Sequence, residues 1–189
     1  MLAFMEVASS WSDALSTTRP DTAPVTLKMH EGMIVEYRQL EVADCTDSVF
    51  RAFTSLGGVR GWLYMNWAWR IRGIIDRICG GVGLRRGRRD AHELRVGDAL
   101  GFWRVEMIEP GRLLRLRAEM RVPGKAWLEF EVRPQSGTHP PLLSQTAVFA
   151  PKGLAGLAYW YLLYPTHALI FRGLIRNIVL LASREEANQ

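Results

Sequence analysis

His167 is the side chain of this chain best suited to moving a proton near neutral pH, since an unperturbed imidazole titrates around pH 6.5. It lies in a run where Trp160, Tyr164, His167, Phe171, Leu174, Ile178 and Leu181 recur at helical spacing. A histidine there is a hydrogen-bonded core residue unless a cavity lies beneath the helix, in which case it is the titratable group of that cavity. Glu119 and Glu129 are a second candidate. They lie on two strands expected to pair, and a register that sets Val122 opposite Ala126 sets these carboxylates against each other. Opposed carboxylates repel. Either arginines such as Arg104 separate them in a solvated Arg/Glu ladder, or one holds a raised pKa and serves as a general acid or base.

A third candidate is the segment Gly81-Val82-Gly83 with Gly87, amid Arg85, Arg86, Arg88 and Arg89. Its glycines do not make a dinucleotide fingerprint, which needs a strand before it and a helix after it, whereas this segment follows a helix. Glycine amides and the guanidinium groups of Arg85, Arg86 and Arg88 could instead hold a phosphate or carboxylate; the alternative is a flexible surface loop. His30, His92, His139 and His167 show no ligand spacing and no cysteine pair accompanies them, so no metal site is expected. No Gly-x-Ser-x-Gly motif or Cys/His pair points to covalent catalysis.

The elements that must position these groups are legible from periodicity. Residues 1–30, rich in Ser, Thr, Ala and Pro, read as a loose extension. Gly32–Leu40 reads as a strand. A helix capped by Asp44 or Thr46 follows, with Val49, Phe50 and Phe53 apolar, ending at Gly57-Gly58. From Trp62 to Ile78 a central helix carries Leu63, Trp67, Ile71, Ile74, Ile75 and Ile78 on one stripe. A second stripe carries Trp62, Met65 and Trp69, turning polar at Arg72 and Asp76. Cys79-Gly80-Gly81 closes it.

Three strands then alternate apolar and charged residues, separated by Pro110-Gly111 and Pro123-Gly124. Facing the apolar sets together puts Ile108 opposite Leu113, Arg115 opposite Glu106 and Arg117 opposite Glu131. Leu142–Ala150 is a further strand. The segment from Gly153 to Phe171 holds no formal charge, so a membrane span has to be weighed. Pro165 and His167 within it, and Arg172 and Arg176 soon after, favour a core helix packed on the sheet, with no stable span.

Composition sets outer bounds. The chain has 189 residues, 48% hydrophobic and 23% charged, with a net charge of +5 and two cysteines. One domain with a substantial core accommodates this, spanning residues 31–182 with a polar tail at 183–189. The arginine excess brings no nucleic-acid motif with it, so no nucleic-acid partner is expected. Cys45 and Cys79 suit a reducing cytoplasm rather than a disulfide framework, and the N-terminal residues lack the basic start of a signal peptide.

Four collinear blocks carry a resemblance: WAWRIRGIIDRICGGVGLRRGRRD, GDALGFWRVEMIEPGRLLRLRAEMRVPGKAWLEFEV, SQTAVFAPKGLAG and AYWYLLYPTHALIF. Over about Gly57–Ile178 the chain resembles a bacterial family of unknown function, domain-of-unknown-function family 2867. That family belongs to the START-like (SRPBCC) superfamily and is also found fused behind short-chain-dehydrogenase-like NAD(P)-binding domains. The resemblance implies an α+β helix-grip fold, an antiparallel sheet wrapped around a long C-terminal helix, with a cavity between them. It implies a small hydrophobic ligand and no cofactor. Trp67, Trp69, Trp103, Met120, Phe130, Trp160, Tyr164, His167 and Phe171 are the side chains expected to line the cavity. Three functions fit: a hydrophobic-ligand carrier, a cyclase, isomerase or dehydratase using the same cavity, and an accessory module working beside a dehydrogenase-like partner; the oligomeric state is left open, a homo-oligomer included.

Overall fold

A computed structural model describes residues 25–43, 45–83, 88–90, 93–135 and 139–187. Asp44, Arg85, Arg86 and His92, named above, lie outside the described residues. Strands β1 (Val25–His30), β2 (Met33–Glu41), β3 (Ala99–Leu100), β4 (Trp103–Glu109), β5 (Leu113–Ala118), β6 (Gly124–Arg133) and β7 (Leu142–Pro151) form one antiparallel sheet. Its order is β1-β2-β7-β6-β5-β4-β3. Helices α1 (Thr46–Thr54) and α2 (Asn66–Ile78) connect β2 to β3, and α3 (Gly153–Glu186) closes the chain. The central strands turn one apolar row inward: Leu114 and Leu116 from β5, Leu128, Phe130 and Val132 from β6, Leu143, Ala147 and Phe149 from β7. Against that face α3 buries Trp160, Phe171, Leu174, Ile175 and Ile178. The architecture is the α+β helix-grip fold.

Residues 25–30 are not part of a loose extension. They form the edge strand β1, exposed at every position and paired with β2, so no apolar alternation marks it. Nor are residues 183–187 a free tail. Helix α3 runs to Glu186, whose carboxylate accepts from the Cys45 N–H at 2.7 Å and the Ser48 hydroxyl at 2.8 Å. A carboxylate at the first turn of α1 satisfies an N–H that no side chain of α1 itself caps, and opposes the helix dipole favourably.

The β4–β5 register is as expected from Trp103↔Ala118 to Val105↔Leu116, then shifts by one at a bulge between Val105 and Met107. Glu106 therefore does not face Arg115. In β5–β6 the slip is larger: Arg117 pairs with Trp127 rather than Glu131, four residues away. The cause is that residues 119–123 are claimed by other elements. Glu119 N–H bonds to Phe102 O at 2.8 Å and Arg121 N–H to the Asp76 carboxylate at 2.6 Å. An even slip keeps every side chain on its own face, so the apolar row survives.

Where α3 starts, it crosses the sheet at backbone contact. A Cβ on Gly156 would sit 2.4 Å from Pro123 O and 2.8 Å from Pro151 Cα, both main-chain atoms that cannot swing aside. Gly156→Ala is expected to cost at least about 1–3 kcal/mol by overpacking, read as a lowered urea midpoint with unchanged m-value. An unchanged midpoint would show that α3 is not seated as described.

Candidate functional site

The sheet does not close fully on α3. Because residues 119–123 peel away from β6, a gap of about 250 Å³ opens between β6 and β7, the Phe102–Trp103 corner, the first half of α3 and α2 above. That is just below the roughly 300–1,000 Å³ typical of ligand pockets. Its walls are almost wholly apolar. Trp69, Phe102 and Trp103 close one side, Met120, Val122, Ala126 and Trp127 the floor, Ala147 and Phe149 the back, and Trp160, Ile170 and Phe171 the helix side.

Helix α2 forms the rim, and it sits in an orientation that hydropathy alone would not choose. Its apolar stripe is the exposed one: Trp67 is 60% exposed, Ile71 and Ile75 48%, Ile78 81%. The buried positions are Trp69, Gly73 and Asp76. Two anchors hold that face inward. At the N-terminal end Trp69 stacks on Trp62, ring centroids 4.5 Å apart, and its indole N–H donates to Tyr64 O at 3.1 Å. The helix begins only at Asn66, because Leu63 and Met65 adopt left-handed backbone angles and the Asn66 side chain accepts from Trp62 N–H at 2.7 Å. At the C-terminal end the fully buried Asp76 carboxylate accepts from Gly83 N–H at 2.8 Å and Arg121 N–H at 2.6 Å. Gly81 has to lack a side chain, since its Cβ would lie 2.3 Å from that carboxylate. Trp67, Ile71 and Ile75 thus edge the mouth of the cavity.

Few polar groups belong to the residues around this space, and several lack a partner. The Trp103 and Trp160 indole nitrogens and His167 Nδ1 are buried without a hydrogen bond. The His167 ring lies between Trp160 and Phe171, centroids 5.6 Å from each. Burial first, and the Arg72 charge second, hold its pKa down to about 4, so it is neutral at physiological pH. Arg72, on α2, donates to the Tyr159 hydroxyl at 3.0 Å. Burial raises the Tyr159 pKa, against the pull of Arg72, so its hydroxyl keeps its proton.

Of the side chains expected to line a cavity, Trp67, Trp69, Trp103, Met120, Trp160, His167 and Phe171 do so. Phe130 does not: it is fully buried and stacks on Phe53 of α1 at 5.9 Å. Tyr164 lies one turn beyond, 6.3 Å from Trp160, and does not reach the lining. Glu119 and Glu129 are not a pair. Glu119 is held bidentately by Arg104 at 2.6 and 3.0 Å, Glu129 by Arg115 at 2.6 Å, on the sheet face away from the cavity. The four-residue slip that separates them removes the basis for a shared proton. Arg88 is not an anion receptor either, since its guanidinium donates to Thr54 O at 2.7 Å and so caps the C-terminus of α1. Among the described residues no group of three or more His, Cys, Asp or Glu side chains gathers into a metal site.

Arg72 and Tyr159 were missed as site residues. Their signal was present, as Arg72 is the one basic residue on the stripe of Trp69 and Asp76, but nothing in spacing tied α2 to Tyr159.

The family model for DUF2867, described as protein of unknown function, matches residues 31–174, a stretch holding the cavity and both helices around it. The chain belongs to that family. No curated protein matches the DUF2867 chain. Among solved structures it is similar to CalU16 from Micromonospora echinospora (13% identity, 88% of this chain and 96% of that one, TM-score 0.40). The di-domain ARO/CYC StfQ from the steffimycin biosynthetic pathway matches at 14% identity, over 82% and 52% of the chains, TM-score 0.48. Truncated norcoclaurine synthase from Thalictrum flavum matches at 13% identity, over 85% and 96%, TM-score 0.46. At this distance none of their properties carries over to this chain.

Helix α3 has the length and apolar composition of a membrane span, and in this family member 39% of its most apolar window is buried against the domain. It is the gripped helix of the fold.

Two outcomes follow from these contacts. Asp76→Asn removes one acceptor from a site that needs two, and is expected to cost about 1–3 kcal/mol; a stability equal to the parent's would mean that Asp76 does not anchor α2. For His167, the folded pKa lies below the unfolded value, so the unfolded state binds the extra proton. Its contribution is complete above about pH 6.5 and is lost as pH falls toward 4. Chemical denaturation between these limits should show a steeper loss for the parent than for His167→Phe, and an NMR titration should place the imidazole pKa near 4. A midpoint at 6 or above would contradict the burial described.

Proposed function

We propose that this DUF2867 protein binds a small hydrophobic molecule in the cavity between sheet and α3, with α2 as its rim. The observation that carries the reading is a gap of about 250 Å³ whose walls are almost wholly apolar and set with aromatic rings. The aromatic walls offer large apolar area with little side-chain freedom to lose, which suits a flat guest. The two cysteines are free and exposed, and we place the protein in the cytoplasm.

A second reading is favoured by His167 alone. A neutral imidazole with a free nitrogen, facing a water-poor cavity, can take or relay a proton for cyclisation, isomerisation or dehydration. Cavity shape would then supply much of the rate by holding a reactive conformer. His167→Gln separates the readings, since a binder retains its ligand and an enzyme loses turnover while still binding.

Native mass spectrometry of the purified protein, with solvent extraction of what it carries, tests the binding reading. One small apolar molecule per chain is the expected result. Protein that emerges empty, and whose melting temperature no member of an aromatic and polyketide-type panel raises, would overturn it.

A further inference from the structure

Five arginines of the sheet and its turns are matched to carboxylates: Arg104 to Glu119, Arg115 to Glu129, Arg112 and Arg133 to Glu131, Arg38 to Glu36. Arg72 is different. It lines the cavity, is half-buried, and makes no ion pair among the described residues. Its partner is a neutral phenol, the Tyr159 hydroxyl, at 3.0 Å. The acidic residue one turn further along α2, Asp76, is no substitute, because its oxygens already accept from two backbone amides. A guanidinium has five N–H donors and cannot shed its charge. Set against apolar walls with most donors unspent, it is poised for an anion. Deeper in, the rings of Trp103 and Trp160 offer flat apolar surface to a guest.

Resting on the cavity reading above, we infer that the ligand is an aromatic acid. Its ring system lies between Trp69, Trp103, Phe149 and Trp160, and its anionic group is held at the mouth by Arg72 and the Tyr159 hydroxyl. A carboxylate, sulfonate or phosphate would satisfy the guanidinium equally, through two parallel N–H···O bonds. Neighbouring Trp67, Ile71 and Ile75 keep bulk water thin around the pair, where a charge-assisted bond is stronger than at an open surface.

A matched pair of fluorescent probes tests this without knowledge of the natural ligand. N-phenyl-1-naphthylamine is the neutral skeleton, and 1-anilinonaphthalene-8-sulfonate is the same skeleton bearing an anion. The parent protein is expected to bind both in a one-to-one ratio and the sulfonate more tightly by about tenfold or more. Arg72→Gln should erase that preference and leave the neutral probe's affinity unchanged. Tyr159→Phe, a milder change, should weaken only the sulfonate, by a few-fold, and it keeps the test valid if Arg72→Gln fails to fold. Arg77→Gln, an exposed arginine on the same helix, should alter neither. Equal affinity of the parent for both probes would overturn the inference while leaving the cavity intact. So would a loss of sulfonate binding in Arg77→Gln as large as in Arg72→Gln, which would mark a general surface-charge effect. Failure of both probes to bind would instead remove the cavity reading on which the inference rests.

Discussion

A carboxylate with no exposed surface has to be given hydrogen bonds, and the one at position 76 takes them from two distant stretches of chain. Gly83 brings the loop after α2 back under the helix, and Arg121 brings the segment between β5 and β6 up to meet it. One buried group therefore decides three things. It turns the Trp69–Gly73–Asp76 face of α2 inward, although the opposite face is more apolar. It pulls residues 119–123 out of the β5–β6 hairpin, which opens the space that Met120 and Val122 line. It also leaves Trp67, Ile71 and Ile75 at the rim, where they cost solvent-exposed apolar area but guard an opening. Hydrophobic burial is worth about 25 cal/mol per Å² and would have favoured the other face. Such a rotation would carry Asp76 outward and leave the Gly83 and Arg121 amides without their acceptor, a loss set against the area it would gain.

This constraint also explains which parts of the molecule were legible beforehand. Strand alternation between Trp103 and Val132 showed one apolar and one charged face, and that pattern survives the slip in β5–β6 because four is an even number. Which glutamate meets which arginine depends on register itself. Register here depends on a hydrogen bond from Arg121 to a helix forty-five residues earlier. No local pattern encodes such a contact, so the Glu119–Glu129 juxtaposition failed while the faces held. The long helix α3 was legible through its spacing of Trp160, Phe171, Leu174 and Ile178, and its end was not. Glu186 looks like a tail residue until α1 is placed beside it, when its carboxylate becomes the cap that Cys45 lacks. Strand β1 was invisible for a related reason: an edge strand exposed on both faces shows no alternation to read.

The inner face carries one further departure from an apolar pattern. On β2, Glu36 and Arg38 point toward α3 at 1% and 2% exposure, and Gln145 of β7 lies directly across from Arg38. Glu36 and Arg38 hydrogen-bond to each other within the sheet, and burial raises the Glu36 pKa despite the attraction of Arg38. Buried ion pairs of this kind seldom add net stability, because the desolvation of both charges offsets their attraction. The pair lies within β2, where neither side chain can lose its partner without stranding a charge, and β2 pairs with β7 in one unbroken register. That register puts small Ala147 across from Glu36, and Ala147 is part of the cavity's back wall. The polar stripe thus borders the aromatic space without entering it.

The cavity is thus bordered by two buried polar devices, Asp76 on α2 and the Glu36–Arg38 pair on β2. Asp76 spends its carboxylate on two backbone amides, Glu36 spends one oxygen on Arg38, and neither acid lines the cavity. What remains for recognition is the apolar wall and the guanidinium of Arg72, most of whose donors the fold does not use. Such a site discriminates by negative charge as well as by bulk, because a neutral guest leaves the guanidinium unpaired against apolar walls. An apolar pocket of the same volume without that group would hold any hydrocarbon of similar bulk.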